Sequence, residues 1–579
     1  MPIKLFSVTK ARKRLFALLG AVTFIFLFVI IRLFYVQVIW GEELQQKAVD
    51  QWTRNIPVLA ERGKIVDRNG VLLVGNKETY TVFVRPRSVT DAKLVSRTLS
   101  KIFGVDETKL YEKITTTKVS EIKAVKHAEK KDVLKLIQHD LNGVYYAKDV
   151  TRSYPYNEFL CQTLGYTSAD GNGISGLELY YDKYLSGING EILYEADLTG
   201  VDLAGKTPSY VPATDGLNLR LTIDYYVQQI VETVTDKAYA EYTPKQVQSI
   251  VMNPKNGEII AISQKPSFNL NEVMYDDLES LFRLGRLSAI SDSYEPGSTF
   301  KALTASADIE EYYNGNPAAF SESHVFSSAR YRYIEGSRIK CWSNHQNGKH
   351  SNENLAAALN NSCNPVFVDI ALSLGKDKFY DYLNRFNYGK VTGIDLSGEA
   401  QGMVLPKSAI QMADLARISF GQTIACTPVQ LLSATAAMVN GGEVYTPRLV
   451  KEIYDEKSSV KITIDKNKKS TAISKKTSEI IAGYLEGVVK NGSGKQAYID
   501  GYRVGGKTGT AQKYENGVIK TGKYVMSFIG FFPANDPEYI CLVIVDEPVG
   551  GTYGSTVAAP LCKDIFEGII SVKNLSPVQ

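Results

Sequence analysis

The sequence predicts an α/β (α+β) protein of more than one domain. A central sheet flanked by helices, with a helical subdomain inserted between its strands, follows a membrane-crossing helix and a mixed α/β domain. Three observations carry this. An uncharged apolar run opens the chain; strand-like segments near Ile250 and Gly257, and again near Phe528 and Tyr539, enclose a long helix-rich stretch; and the region between the apolar run and residue 220 mixes short strands with charged helices. At 579 residues, 44% of them hydrophobic, the chain can fill two or more cores. The expected partition is a cytoplasmic tail at 1–14, a transmembrane helix at 15–40, a first globular domain at 41–220 and a second at 221–579.

Residues Leu15 to Ile31 form a 17-residue uncharged run, and the apolar character resumes after Arg32 as far as Trp40, long enough for a helix to cross a bilayer. Lys4, Lys10, Arg12, Lys13 and Arg14 precede it, which predicts a cytoplasmic N-terminus and an external remainder, anchored by a single pass. No small-x-small cleavage site follows, which argues against a removed signal peptide.

Beyond the anchor, Tyr80 to Val84 alternates as a strand and Lys130 to Gln138 reads as a charged helix. Asp67 to Gly70 reads as a hairpin turn, since Asn69-Gly70 tolerates positive φ. Leu219 to Ile223 is a strand leading into a long helix. Ile250 to Pro254 and Gly257 to Ser263 form a hairpin, helices dominate to about residue 440, and strands at Phe528 and Tyr539 to Val545 precede a closing helix near Leu561 to Ile570. The polar stretches Lys513 to Lys523 and Asp455 to Ser474 read as a loop between strands and an exposed excursion. A net charge of +4 is small for this length and indicates no nucleic-acid partner.

The chemistry is concentrated in three short elements. Ser298 and Lys301 are spaced i, i+3, so a helix entered at Pro296-Gly297 puts the serine in its first turn with the lysine beneath it. A serine hydroxyl needs a base within hydrogen-bond reach, and a buried lysine with a lowered pKa supplies one. Ser362-Cys363-Asn364 and Lys507-Thr508-Gly509-Thr510 follow, the latter behind Gly505-Gly506 on a strand-like run where a substrate backbone can approach. Chance copies exist: Ser7/Lys10, Ser120/Lys123 and Ser458/Lys461 also read S-x-x-K, Ser267/Asn269 reads S-x-N, and Lys520-Thr521-Gly522 repeats K-T-G. Only the copy at Ser298 combines order, spacing and context with the other two elements, so the set at 298, 362 and 507 describes a serine acyl-transfer site.

In that order the three elements resemble the signature of penicillin-binding proteins. Arg62 to Gly70, Arg152 to Pro155, Leu164 to Tyr166 and Gly173 to Glu178 resemble the pedestal motifs of their class B, monofunctional members, so the resemblance covers about residues 15 to 570. It implies a serine transpeptidase/beta-lactamase-like domain at 221–579 standing on a dimerisation-type pedestal domain at 41–220, outside a bacterial plasma membrane. It also implies the reaction: Ser298 attacks the carbonyl between two D-alanines of a peptidoglycan stem peptide, Lys301 takes its proton, and an amine of a neighbouring stem peptide receives the acyl group. By the same resemblance Ser362 relays a proton to the leaving D-alanine and Asn364 holds the substrate amide. Lys507 sets positive charge near the substrate carboxylate, which Thr508, Gly509 and Thr510 bind, and the backbone N–H groups of Ser298 and Thr510 form the oxyanion hole. No cofactor is required for this catalysis.

Beta-lactams are expected to acylate the same serine, and no motif for a deacylating base is visible, which speaks against a lactamase. No glycosyltransferase domain is visible either, so the resemblance implies a membrane glycan polymerase as partner. A D,D-carboxypeptidase using water as acceptor stands as an alternative, as does a non-catalytic beta-lactam-binding scaffold or sensor, although only about 14 residues precede the membrane. Gly421-Gln422-Thr423 stands where relatives often carry Gly-Gln-Gly, altering the cleft wall.

Six cysteines occur, at 161, 341, 363, 426, 541 and 562. Cys363 lies inside S-x-N, Cys341 is 22 residues upstream, and His324, His345 and His350 share the neighbourhood. Three readings are open: a zinc site of Cys341, His350, Cys363 and His345; a Cys341–Cys363 disulfide that makes the site redox sensitive; or free thiols beside surface histidines. The segment from Ile339 through Trp342 and His350 to Pro365 resembles the sporulation-type class B enzymes, the stage V protein D group. Those relatives often carry a C-terminal PASTA module and this chain ends at Gln579, so division and elongation stay open beside sporulation.

Overall fold

The computed structural model describes residues 8–41, 43–44, 53–117, 119, 121–195, 209–327, 329–345, 350–458, 460–464, 468–515, 518–551 and 553–577. They form two compact units, one of residues 1–60 with 188–215 and one of 61–187 with 216–579. The first contains helix α1 (Val8–Phe34), whose surroundings Arg12–Ile39 are long and apolar enough to cross a membrane, and a three-stranded antiparallel sheet of Thr53–Val58, Gly190–Glu195 and Ser209–Val211.

The second unit is built on a five-stranded antiparallel sheet, β1 (Gln246–Met252), β2 (Ile259–Lys265), β3 (Gly505–Glu515), β4 (Val518–Phe532) and β5 (Tyr539–Asp546), in the order β2-β1-β5-β4-β3. Successive strand residues face opposite sides, and the apolar runs serve both. Val251, Cys541 and Val543 pack under the helices α2 (Tyr225–Tyr242) and α6 (Gly554–Lys573), while Ile250, Ile540 and Leu542 face the helical subdomain. That subdomain is the chain between β2 and β3. It contributes α3 (Lys301–Tyr313), α4 (Leu355–Asn361) and α5 (Asn364–Arg385).

A seven-stranded sheet joins early and late parts of the chain. Ile65–Val66 runs parallel to Asn218–Leu221, which in turn pairs antiparallel with Val450–Tyr454, and Leu72–Val84 continues the sheet on the other side. The turn Asp67–Gly70 forms as its sequence predicts: Asp67 Oδ1 accepts from Asn69 N at 2.7 Å and Val71 N at 2.8 Å, with Gly70 at φ 93°. The motif residues Arg62, Arg152 and Glu178, distant in sequence, meet in the interior. Glu178 accepts from Arg62 Nε at 2.6 Å and from Arg152 Nε at 2.7 Å, and its own exposure is zero. A carboxylate so buried persists because both oxygens are charge-paired.

Three local expectations change. Lys513 to Lys523 is largely strand, not loop, because β3 and β4 continue pairing as far as Glu515 and Val518. The helix-rich stretch contains an antiparallel hairpin, Tyr331–Ile334 with Ser337–Lys340, whose two-residue turn Glu335-Gly336 takes positive φ. Within Asp455 to Ser474, Lys461–Thr463 and Lys468–Thr471 are short strands. Of the chance motifs, Ser7 and Ser120 lie outside the described residues, and Ser267 is bound to Glu158 by a 2.5 Å hydrogen bond.

Candidate active site

The three elements come together from three parts of the fold. Ser298 sits, half-buried, in a tight 3₁₀ turn Gly297–Phe300, and the α-helix begins only at Lys301. The sequence places the serine inside the helix itself. The difference arises at Gly297, whose φ of 56° is left-handed and whose N–H donates to Gly421 O at 3.0 Å, so the chain is pinned before it can wind regularly. Gly421, at φ 81°, leaves no room for a side chain: a Cβ there would stand 2.1 Å from Gly297 O. Gly421→Ala is therefore expected to displace the serine turn and slow its acylation about 100-fold, the scale of an ångström-sized misplacement, measured as the rate of labelling by a fluorescent penicillin.

Lys301, first residue of α3, is fully buried. Its Nζ donates to Ser362 O at 2.8 Å, Ser362 Oγ at 3.0 Å and Asn364 Oδ1 at 2.6 Å. Among the described residues no hydrogen bond joins it to Ser298 Oγ. Ser362 ends α4 in the left-handed conformation, φ 56°, and Asn364-Pro365 opens α5, the proline fixing the first turn. A strained non-glycine residue between two helices aims the Ser362 hydroxyl inward.

Lys507 reaches the same hydroxyl from β3, Nζ to Ser362 Oγ at 3.1 Å, and is equally buried. Two amines thus share one oxygen, and among the described residues no carboxylate pairs with either. Burial pulls the Lys301 amine down to about 8, only partly opposed by Cys341, Cys363 and Glu353 nearby. Burial, then repulsion by Lys301, pushes Lys507 well below the ordinary lysine range.

Around them, Thr508 Oγ1 donates to Ser493 Oγ at 3.3 Å, and Thr510 Oγ1 accepts from Gly554 N at 3.0 Å. Gly509 is packed so closely that a Cβ would lie 2.4 Å from Ser527 Oγ. Thr423, the departure from Gly-Gln-Gly, is left-handed at φ 61° and its N–H donates to Glu295 Oε1 at 2.9 Å. One contributor was not visible in the sequence: Trp342 Nε1 donates to Ser362 O at 3.1 Å and Asn361 O at 3.2 Å. Its position beside Cys341 was the sole signal.

The cysteine and histidine residues also converge. The ligand atoms of Cys341, His345, His350 and Cys363 all lie within 4.8 Å of one another, with Cys341 Sγ 3.8 Å from His350 Nδ1 and Cys363 Sγ 3.9 Å from His345 Nε2. Tetrahedral zinc with ordinary bond lengths sets such ligand atoms about 3.3–3.8 Å apart, so a two-sulfur, two-nitrogen set fits with little movement. His345 and His350 are both left-handed, at φ 53° and 60°. The structure holds all six cysteines as free thiols, including Cys341 and Cys363, and not as the disulfide considered from sequence.

A family model described as the penicillin binding protein transpeptidase domain matches residues 248–567, more than half of the chain. The chain belongs to the penicillin-binding protein family. A second model, the penicillin-binding protein dimerisation domain, matches residues 57–221. Stage V sporulation protein D of Bacillus subtilis (strain 168) is 38% identical over 580 residues, covering 99% of this chain and 87% of that protein. Peptidoglycan D,D-transpeptidase FtsI of Escherichia coli (strain K12) is 26% identical over 573 residues, covering 97% and 92%. Among solved structures, penicillin binding protein 2X of Streptococcus thermophilus superposes with a TM-score of 0.73 at 25% identity, over 90% of this chain and 81% of that one. The penicillin-binding protein fold thus accounts for both the sheet with its inserted helices and the pedestal motifs gathered at Glu178.

Proposed function

We propose that this chain is a serine-type peptidoglycan D,D-transpeptidase, cross-linking stem peptides through an acyl-enzyme and open to acylation by beta-lactams. The observation that carries the reading is the convergence of Lys301 Nζ and Lys507 Nζ on Ser362 Oγ, at 3.0 and 3.1 Å. One hydroxyl between two amines is a proton path: Lys301, neutral, accepts the proton of Ser298 as its oxygen attacks, and Ser362 passes a proton on to the departing D-alanine nitrogen. The N–H groups of Ser298 and Thr510 stabilise the oxyanion. Among the described residues Lys507 has no carboxylate partner. The C-terminal carboxylate of the stem peptide, held by the Thr508 and Thr510 hydroxyls beside Gly509, then restores its charge. Asn364 is engaged at both ends, with Nδ2 donating to Lys340 O at 3.2 Å, so a substrate amide has to displace that carbonyl. An amine from a second stem peptide then takes the acyl group.

The test is labelling of the full-length protein in detergent by fluorescent penicillin. Wild type is expected to form a long-lived adduct that Ser298→Ala abolishes; equal labelling of both would remove Ser298 as nucleophile. Product analysis with an added amine separates transfer from hydrolysis, which would make the protein a carboxypeptidase.

The catalysis itself needs no cofactor. The zinc set of Cys341, His345, His350 and Cys363 is proposed as structural: when bound, the ion clamps Cys363 and with it both neighbours, Ser362 and Asn364. The same reading divides the chain into a tail at 1–14, an anchor at 15–40, a pedestal at 41–220 and the transpeptidase at 221–579, single-pass in the bacterial plasma membrane. The cations before α1 favour a cytoplasmic N-terminus. An impermeant reagent that labels the catalytic domain only in lysed cells would reverse that orientation. A membrane glycan polymerase is the proposed partner, since a cross-linker requires glycan strands made by another activity; failure of the two to co-purify after cross-linking in cells would count against it.

A further inference from the structure

The hairpin Tyr331–Ile334/Ser337–Lys340, which adjoins the S-x-N element, carries charge that the transpeptidase reaction as described does not use. Its register pairs Tyr331 with Lys340 and Tyr333 with Arg338, and residues directly opposite in an antiparallel pair project from the same face. The other face is spoken for. Ile339 is buried, and Arg332, opposite it, forms an ion pair with Asp369 of α5, Nη2 to Oδ2 at 2.6 Å. The remaining face therefore presents two tyrosines and two cations, with Tyr333 71% exposed and Arg338 and Lys340 exposed.

A third cation joins them. The guanidinium groups of Arg330 and Arg338 stand 5.3 and 5.2 Å from the centre of the Tyr331 ring. Among the described residues none of Arg330, Arg338 and Lys340 meets a carboxylate, and Arg330 Nε is buried with no hydrogen-bond partner. The acid on the hairpin turn, Glu335, is occupied elsewhere, accepting from Ala413 N. Cations without a carboxylate partner gain charge-assisted hydrogen bonds from an anionic ligand. The hairpin is also continuous with the reaction centre, since Lys340 O accepts from Asn364 Nδ2.

We infer that the outer face of this hairpin, Arg330, Arg338 and Lys340 around Tyr331 and Tyr333, is a subsite for the non-terminal carboxylates of the stem peptide that enters beside Asn364. This rests on the transpeptidase reading and extends it, because the terminal carboxylate is already assigned to the Lys507 strand. Planar guanidiniums match carboxylates in a bidentate fork, and the exposed tyrosine rings offer apolar cover for the peptide between its charges. Anionic lipid headgroups share the charge; the stem peptide is favoured because the hairpin adjoins Asn364, whose Nδ2 donates to Lys340 O.

The test compares full-length wild type with Arg338→Glu and Arg338→Lys in detergent. Two D-alanyl-D-alanine pentapeptides serve as substrates, one with its non-terminal carboxyl free and one with that carboxyl amidated. Wild type is expected to show a lower KM for the free-carboxyl peptide. Arg338→Glu should raise that KM about tenfold or more, the loss of one charge-assisted contact, with kcat and the KM for the amidated peptide little changed. Arg338→Lys should retain part of the preference. Equal KM values for the two peptides in wild type, or an equal rise for both in Arg338→Glu, would overturn the subsite. So would loss of binding to phosphatidylglycerol vesicles in Arg338→Glu with peptide kinetics intact, which would make the face a lipid contact. Labelling by fluorescent penicillin does not require the hairpin subsite, so wild type that fails to label would instead sink the transpeptidase reading.

Discussion

Replacing Lys301 with methionine is expected to slow acylation of Ser298 by fluorescent penicillin about 1,000-fold, in the middle of the range for loss of a positioned general base. The side chain keeps its volume, so no cavity opens, and the buried site loses an amine that pairs with no carboxylate among the described residues. The thermal midpoint should therefore hold or rise while the rate collapses. A variant that still labels within about tenfold of wild type would assign the base elsewhere. The wild-type rate has its own signature. Burial brings Lys301 down to about 8, and the neutral amine is the form that accepts a proton. Acylation should thus rise as pH increases through about 8 and level off above it. In the unfolded chain the same lysine protonates at its ordinary, higher pKa, so between those values unfolding takes up a proton and stability also rises with pH.

The second large effect is expected from the cysteine and histidine cluster. Chelating the protein, or substituting Cys363→Ser, should lower the acylation rate by about 10- to 100-fold and reduce the thermal midpoint, the usual scale when a metal's supporting groups are removed. The route is geometric. Cys363 sits between Ser362, which bridges the two lysines, and Asn364, which accepts from Lys301 at 2.6 Å, and freeing its sulfur lets the left-handed turn at Ser362 relax. The measurement is zinc content by elemental analysis beside the labelling rate, before and after chelation. Purified protein with well under one equivalent of zinc and full activity would leave the four residues as packed thiols and imidazoles.

The residues proposed as catalytic could be picked out in the sequence because S-x-x-K, S-x-N and K-T-G in that order resemble the penicillin-binding protein signature, and Lys301, Ser362, Asn364 and Lys507 do converge in space. The apolar strands were legible for a related reason. Ile250 and Val251, or Leu542 and Val543, are buried on opposite faces, and a strand sandwiched between helix layers reads as an unbroken run. What escaped depends on contacts between distant residues. Trp342 matters through an indole N–H that meets a carbonyl 20 positions later. The 3₁₀ turn at Ser298 depends on Gly421, whose backbone comes within reach only once the subdomain has folded. The hairpin at 331–340 was hidden by charge, since Arg332, Arg338 and Lys340 interrupt the apolar alternation that marks a strand.

The seven-stranded sheet also imposes an order on biosynthesis. Ile65–Val66 emerges from the ribosome first, yet its neighbour Asn218–Leu221 arrives some 150 residues later, and the next strand, Val450–Tyr454, more than 200 residues after that. Until then each waiting edge displays unpaired amide groups, the surface on which chains stick to one another. A recombinant fragment cut near residue 221 would make that transient exposure permanent along Val450–Tyr454. Synthesis of the chain in one piece, Asn218–Leu221 before Val450–Tyr454, supplies the missing strand in time.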